Sequence, residues 1–184
     1  MKYIVALLLA CMASVGVAQD RDGNDTPGEW VVTHQAAYGL WDVFCDERTT
    51  GDLTEERCYI RYVEVFSARP KFGAMFVFVT GAGVEFGMEA GTVFPGEGPQ
   101  IIRDDAQVWV DNRLGCRTGL TCTMDGEAAQ DFLNAARGGG VLQMTFTDRH
   151  GAPQDLRWDL TRFDAAFADW RAQSAARDLP RPFE

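Results

Sequence analysis

The sequence predicts a mainly β protein, a β-sandwich carrying two short helices. Three observations predict it: short runs that alternate aromatic or β-branched residues with polar ones, turn residues between those runs at close intervals, and only two stretches whose apolar residues recur at helical spacing. The chain has 184 residues, 46% of them hydrophobic and 24% charged, which is the mix of a globular domain. With an N-terminal signal set aside, about 165 residues remain, enough to bury about 70% of the unfolded surface around one core, so a single domain is expected.

The first element is a secretory signal. Lys2 precedes an apolar run from Tyr3 to Ala13, and Gly16-Val17-Ala18 then places small residues at the −3 and −1 positions of a cut between Ala18 and Gln19. The run falls short of the roughly 20 apolar residues that span a bilayer, so no transmembrane segment is expected in the mature protein. Leu8-Leu9-Ala10-Cys11 resembles a lipobox as well, which leaves an outer-membrane lipoprotein as an alternative turning on Cys11. The expected organisation is a signal over 1–18, a flexible lead-in over 19–28, one sandwich domain over 29–176 and a C-terminal tail over 177–184. In the lead-in, Asp20, Asp22 and Asn24 match the first ligand positions of a calcium loop, but Asp25 and Val31 stand where Gly and Glu are needed, so the match fails.

The strands follow in order. Glu29 to His34 is β-rich, and Leu40 to Cys45 alternates large apolar residues with polar or small ones. Cys58 to Phe66 is dense in aromatic and β-branched residues. If it pairs with the strand ending at Cys45, a disulfide would close an exposed hairpin loop containing Thr49-Thr50-Gly51-Asp52. Lys71 to Val79 is the most apolar stretch after the signal and reads as a central strand, turned by Gly81-Ala82-Gly83 into Val84 to Met88. Pro95 to Pro99 is a loop by composition, Gln107 to Asp111 alternates again, and Asn112 to Gly115 begins a turn. A helix is expected over Gly126 to Arg137, capped by Asp125 and stopped by Gly138, with Ala129, Phe132, Leu133 and Ala136 on one face. Val141 to Thr147 and Asp155 to Leu160 flank a hairpin turn, Asp148-Arg149-His150-Gly151. Thr161 and Asp164 resemble a capping box for a last helix carrying Phe163, Phe167 and Trp170.

Cysteine usage agrees with export. Apart from Cys11 the chain has Cys45, Cys58, Cys116 and Cys122, an even number in two local pairs, as an oxidising compartment permits. Of three connectivities, the two sequence-local ones, Cys45 to Cys58 and Cys116 to Cys122, are favoured; the chain-entropy model makes them worth about 3 and about 2.4 kcal/mol. A four-thiolate zinc site would show two Cys-x-x-Cys knuckles, and a thiol redox enzyme one Cys-x-x-Cys at a helix start; neither motif is present.

Composition and motifs narrow the function. Lys and Arg total 17 against 27 Asp and Glu, a formal charge of −10, and removing residues 1–18 takes away only Lys2, so the folded part is acidic and nucleic acid is a poor partner. Only His34 and His150 offer imidazole; Ser67 and Ser174 sit in no nucleophile elbow, and the glycines at 81, 83 and 87 lack the following helix of a dinucleotide site. The neighbouring carboxylates Glu55-Glu56 and Asp104-Asp105 point opposite ways in extended chain, so they form no dyad. No catalytic, cofactor-binding or metal residue is assigned, and no cofactor is expected.

Taken together these residues resemble the invasion associated locus B family of small exported proteins from alphaproteobacteria. The resemblance runs from about Tyr38 to Trp170 and rests on Tyr38-Gly39-Leu40-Trp41-Asp42-Val43-Phe44-Cys45, on Cys58-Tyr59-Ile60 after a polar loop, on Cys116 with Cys122, on the helix through Phe132-Leu133, and on Phe146 to Leu160 with Phe163-Asp164-Ala165-Ala166-Phe167. The chain departs from the family pattern at Arg61 and Tyr62, where Gln is usual, and at Arg162, where Gly is usual. The resemblance implies an immunoglobulin-like β-sandwich, export to the periplasm or outer surface, a role in host-cell invasion for pathogenic relatives, and no catalytic residue. The function expected is a non-enzymatic, disulfide-stapled envelope protein acting as a binding or accessory module on a protein or envelope component, its oligomeric state left open. The alternatives are an envelope enzyme with a carboxylate site and the lipoprotein.

Overall fold

The structure is a computed structural model that describes residues 29–67, 73–88, 100–103, 106–110, 121–148, 150–181 and 183. The signal, the cut at Ala18 and Gln19, the loop 95–99, Asp104-Asp105, and the Cys116 to Cys122 pairing lie outside the described residues.

Two antiparallel sheets and two helices make up the described fold. The first sheet holds six strands in the order β1 (Val31–Tyr38), β2 (Trp41–Thr50), β3 (Leu53–Ser67), β4 (Gly73–Thr80), β5 (Gly83–Met88) and β8 (Thr121–Met124); the second is ordered β10 (Pro153–Asp159), β9 (Val141–Thr147), β6 (Gln100–Arg103), β7 (Ala106–Val110). Helix α1 spans Gly126–Arg137 and α2 spans Phe163–Ala176. This is the mainly β sandwich with two short helices that the strand pattern predicts. β6 has only Ile101 and Ile102 as apolar signal, which is why the pattern did not reveal it.

Tight turns join β1 to β2, β2 to β3 and β4 to β5. Register pairs Tyr38↔Trp41, Thr50↔Leu53 and Thr80↔Gly83 leave two residues in each turn. Gly39 and Gly51 take the first turn position with φ of +68° and +64°, which an L side chain rarely adopts. The hairpin loop expected at 49–52 is therefore smaller than the sequence reading: the ladder continues through Thr49↔Thr54, and only Gly51-Asp52 turn. Cys45 and Cys58 face each other in the middle of this ladder, bonded, with Cα atoms 4.1 Å apart.

Strict alternation then sorts the residues. Trp41, Val43 and Cys45 on β2, Cys58 and Ile60 on β3, Met75, Val77 and Val79 on β4, with Val84 and Met124, turn inward and are buried. They meet Ile101, Leu142, Met144, Phe146, Leu156 and Trp158 of the second sheet and the apolar faces of both helices. In α1 these are Ala129, Phe132, Leu133 and Ala136, as helical spacing predicts; in α2 they include Phe163, Phe167 and Trp170.

Three indoles tie the layers together, because a buried Trp needs an acceptor for its N–H. Trp41 Nε1 donates to the Asp159 carbonyl (3.1 Å), Trp170 Nε1 to the Cys58 carbonyl (3.1 Å), and Trp158 Nε1 to Glu64 Oε2 (2.9 Å). The same Glu64 oxygen accepts from the Tyr62 hydroxyl at 3.1 Å, and burial, together with that carboxylate, holds the Tyr62 phenol well above its usual range.

The helix ends depart from expectation. Asp125 stands at the N-cap of α1, but its side chain makes no capping bond, and Ala129 N–H reaches its backbone carbonyl instead (3.3 Å). Gly138 ends α1 while still right-handed, and Gly139, at φ +69°, redirects the chain. The capping box of Thr161 and Asp164 does not form. Thr161 gives its N–H and its hydroxyl to Asp159 Oδ1, a local turn that competes with capping, and Asp164 accepts from Arg137 Nε at 3.1 Å, joining the two helices. After α2 the chain turns back, and Phe183 is buried in the core.

Replacing Cys45 and Cys58 together by alanine is expected to cost about 3 kcal/mol of stability, read as a lower midpoint in chemical denaturation. Non-reducing peptide mapping is expected to recover Cys45 with Cys58 and Cys116 with Cys122.

Candidate functional site

The residues that alternation turns outward on the first sheet form the site. On β2 they are Asp42, Phe44 and Asp46; on β3 Arg57, Tyr59, Arg61, Val63 and Val65; on β4 Phe76, Phe78 and Thr80; on β5 Glu85. Aromatic rings cross this face strand by strand. Phe44 stacks with Tyr59 (centroids 5.8 Å), Tyr59 meets Phe78 edge-on (5.6 Å), and Phe78 stacks with Phe76 (6.4 Å). Arginines lie over the rings: Arg61 above Phe44 at 4.3 Å, and Arg57 above Trp30 at 3.9 Å, with Arg48 on the same indole at 4.6 Å. Such contacts contribute about 0.5–1 kcal/mol each at exposed positions.

A buried carboxylate orients the cations. Asp46 is 4% exposed at its side chain and accepts on Oδ2 from Arg57 Nε (3.1 Å), from a terminal Arg57 nitrogen (3.0 Å) and from the Tyr59 hydroxyl (2.9 Å). Arg57 is 49% exposed, so this pair shows its cation to solvent and hides its anion. Burial and the bond to Asp46 hold the Tyr59 phenol above its ordinary range. Arg61 pairs with Asp42 at 3.3 Å. Among the described residues, Asp46 Oδ1 and Arg61 Nε are buried without a hydrogen-bond partner, so the cluster holds polar capacity it does not spend internally.

A groove of about 370 Å³ runs between Arg57, Tyr59 and Arg61 on one side and Phe76, Phe78 and Glu85 on the other. A second hollow of about 350 Å³ continues past Arg57 and Tyr59 to Gly81, Ala82 and the Leu179-Pro180 segment. Gly81 is required there, since a β-carbon would lie 2.8 Å from the Pro180 carbonyl oxygen. At the far end of the groove Val63, Val65 and Phe76 are 40%, 57% and 37% exposed.

The polar residues weighed in the sequence do not converge. Glu55 pairs with Arg48 and Glu56 with Arg177, on opposite faces of β3. His34 bonds Asp169 of α2 at 2.9 Å, Ser174 is buried in α2, and His150 sits in the β9–β10 turn, where its N–H caps Asp148. Of the two buried aspartates among the described residues, Asp46 accepts on Oδ2 from Arg57 and Tyr59, and Asp148 accepts from the backbone of its own turn and from Gln154. Among the described residues no group of three His, Cys, Asp or Glu is placed to hold a metal, and no helix is long and apolar enough to cross a membrane. Sequence reasoning missed the Arg–aromatic face. Its signal was present in the alternation of Arg57, Tyr59, Arg61 and Val63, but aromatic residues on the partner strands read as core.

The described fold is a two-sheet β-sandwich with an arginine-topped aromatic face on its six-stranded sheet. No family model matches the chain, and no curated protein matches it in sequence. Among solved structures it is similar to the crystal structure of invasion associated protein B from Bartonella henselae, with a TM-score of 0.50 and 17% identity over 78% of this chain and 99% of that one. At that identity the likeness is one of fold.

Asp46→Ala is expected to destabilise the protein by about 2 kcal/mol, because Arg57 and Tyr59 lose a shared, charged acceptor. Tyr59→Phe, which removes one of three donors, is expected to cost about 1 kcal/mol. Denaturant midpoints of the two variants check the order.

Proposed function

We propose that this chain is an exported, disulfide-stapled envelope protein that acts by binding and not by catalysis, and that the outer face of the first sheet is its binding surface. The observation that carries the reading is the contrast between the two sides of one sheet. The inner side is filled to near-zero exposure, while the outer side keeps Val63, Val65 and Phe76 open beside Arg57 and Arg61. Aromatic residues and arginine are what binding surfaces concentrate. Export is supported by the signal pattern before Gln19 and by the Cys45–Cys58 disulfide, which an oxidising compartment preserves. The fold shared with invasion associated protein B agrees with an accessory role at the periplasm or outer surface.

Two measurements test this. Intact mass of the exported protein is expected to place the N-terminus at Gln19, whereas a lipidated Cys11 at the terminus would replace the soluble reading by the lipoprotein one. Pull-down from the native cell envelope is expected to retain a defined set of proteins with the wild type and to lose it with the Val63→Asp/Phe76→Asp variant. Identical capture by both would remove the outer face as the binding surface.

A further inference from the structure

We propose that the outer face of the first sheet also docks a second copy of this chain, about a two-fold axis running along β4. The inference rests on the reading of that face as a binding surface and names one partner for it. The argument comes from register. Arg61 pairs across to Phe78, and Phe78 to Glu85; Val63 pairs to Phe76, and Phe76 to Gly87. Across β3, β4 and β5 the rows therefore read cation, ring, anion and, next to it, branched side chain, ring, no side chain.

A two-fold axis along β4 exchanges β3 and β5 between copies and keeps each row facing itself. It sets Arg61 of one copy over Glu85 of the other, twice. It stacks Phe78 on Phe78 and Phe76 on Phe76, and it lays Val63 over Gly87. The face is thus complementary to itself in charge and in bulk, as an isologous contact requires. An axis across the strands would set Arg61 on Arg61 and Glu85 on Glu85, so the register selects the first arrangement. Glu85 is free for this role, since among the described residues it forms no ion pair. Arg61 pairs with its own Asp42 at 3.3 Å and lies over Phe44, and its 35% exposure leaves the guanidinium open to a second carboxylate.

Strand spacing and rise give the patch about 400 Å² per copy, about 800 Å² in total, below the range of stable specific interfaces and in that of weak, transient contacts. The dimer is accordingly concentration-dependent. Without Lys2 each exported copy has 16 basic against 27 acidic residues, a charge of −11 that opposes approach, so the pairing needs physiological salt, where the screening length is about 8 Å.

Sedimentation equilibrium of the oxidised, exported protein, from micromolar to near-millimolar concentration, is the test. The wild type is expected to rise toward twice the monomer mass. Glu85→Arg and Arg61→Glu are each expected to weaken self-association by about tenfold or more, and an equimolar mixture of the two to associate again, because both contacts then pair opposite charges. Phe76→Ser, on the axis, is expected to weaken association without changing charge. Melting curves of each variant separate loss of contact from loss of fold, and Glu85→Arg, which breaks no internal pair, carries the test if Arg61→Glu melts early. A wild type that stays monomeric throughout overturns the proposal, as does a mixture no more associated than its components. Either result leaves the envelope pull-down to be read on its own, since that measures a different partner.

Discussion

One register pair governs the molecule: Cys45 opposite Cys58. Side chains along a strand alternate with a period of two, so a one-residue slip would send every inward residue of β3 outward. The bond between the two cysteines forbids that slip. Residues 58, 60, 62 and 64 therefore face the core, where the Cys58 carbonyl receives Trp170 and Glu64 receives Trp158. Residues 57, 59, 61, 63 and 65 face outward and make up the central row of the outer face. The staple and the outer face are two consequences of one constraint, and Cys58 itself lines the hollow beside Arg57 and Tyr59.

The interior shows how the outer face can remain open without endangering the fold. The core is closed by large buried side chains, Trp41, Trp158, Trp170, Phe132, Phe163 and Phe167 among them, and each of the three indoles spends its N–H across a layer boundary. Stability is thus drawn from the inner side of the first sheet, the second sheet and the helices. Phe76 and Phe78 add stacking contacts on this face, while Phe44, 6% exposed, is covered by Arg61 and Tyr59. Asp46 is a buried charge on the same side and holds Arg57 and Tyr59 in place.

Much of the architecture was legible in the sequence, and for physical reasons. α1 could be read to the residue because its apolar spacing is regular and glycines follow it. The β9–β10 hairpin announced itself through alternation and turn residues. The capping of α2 was misread because Asp159, two residues before Thr161, is a nearer acceptor than the geometry of a capping box supplies, and local backbone turns are invisible to spacing rules. The aromatic outer face was hidden for a different reason. Phe44, Phe76 and Phe78 carry the hydrophobic signature of core residues, and only the pairing of three strands reveals that they lie on the side away from the core. Asp46 likewise looks like one surface acid among many until its partners on β3 are known.

The central claim, that odd-numbered positions of β3 and even-numbered positions of β4 present a free face, is tested most directly by hydroxyl-radical footprinting of the native protein in dilute solution. Val63, Val65 and Phe76 are expected to be labelled, and Met75 and Ile60 to be protected despite the high intrinsic reactivity of a methionine. Labelling of Met75 with protection of Phe76 would show the register or the facing of the sheet to be the reverse of that described, and would contradict the account at its base.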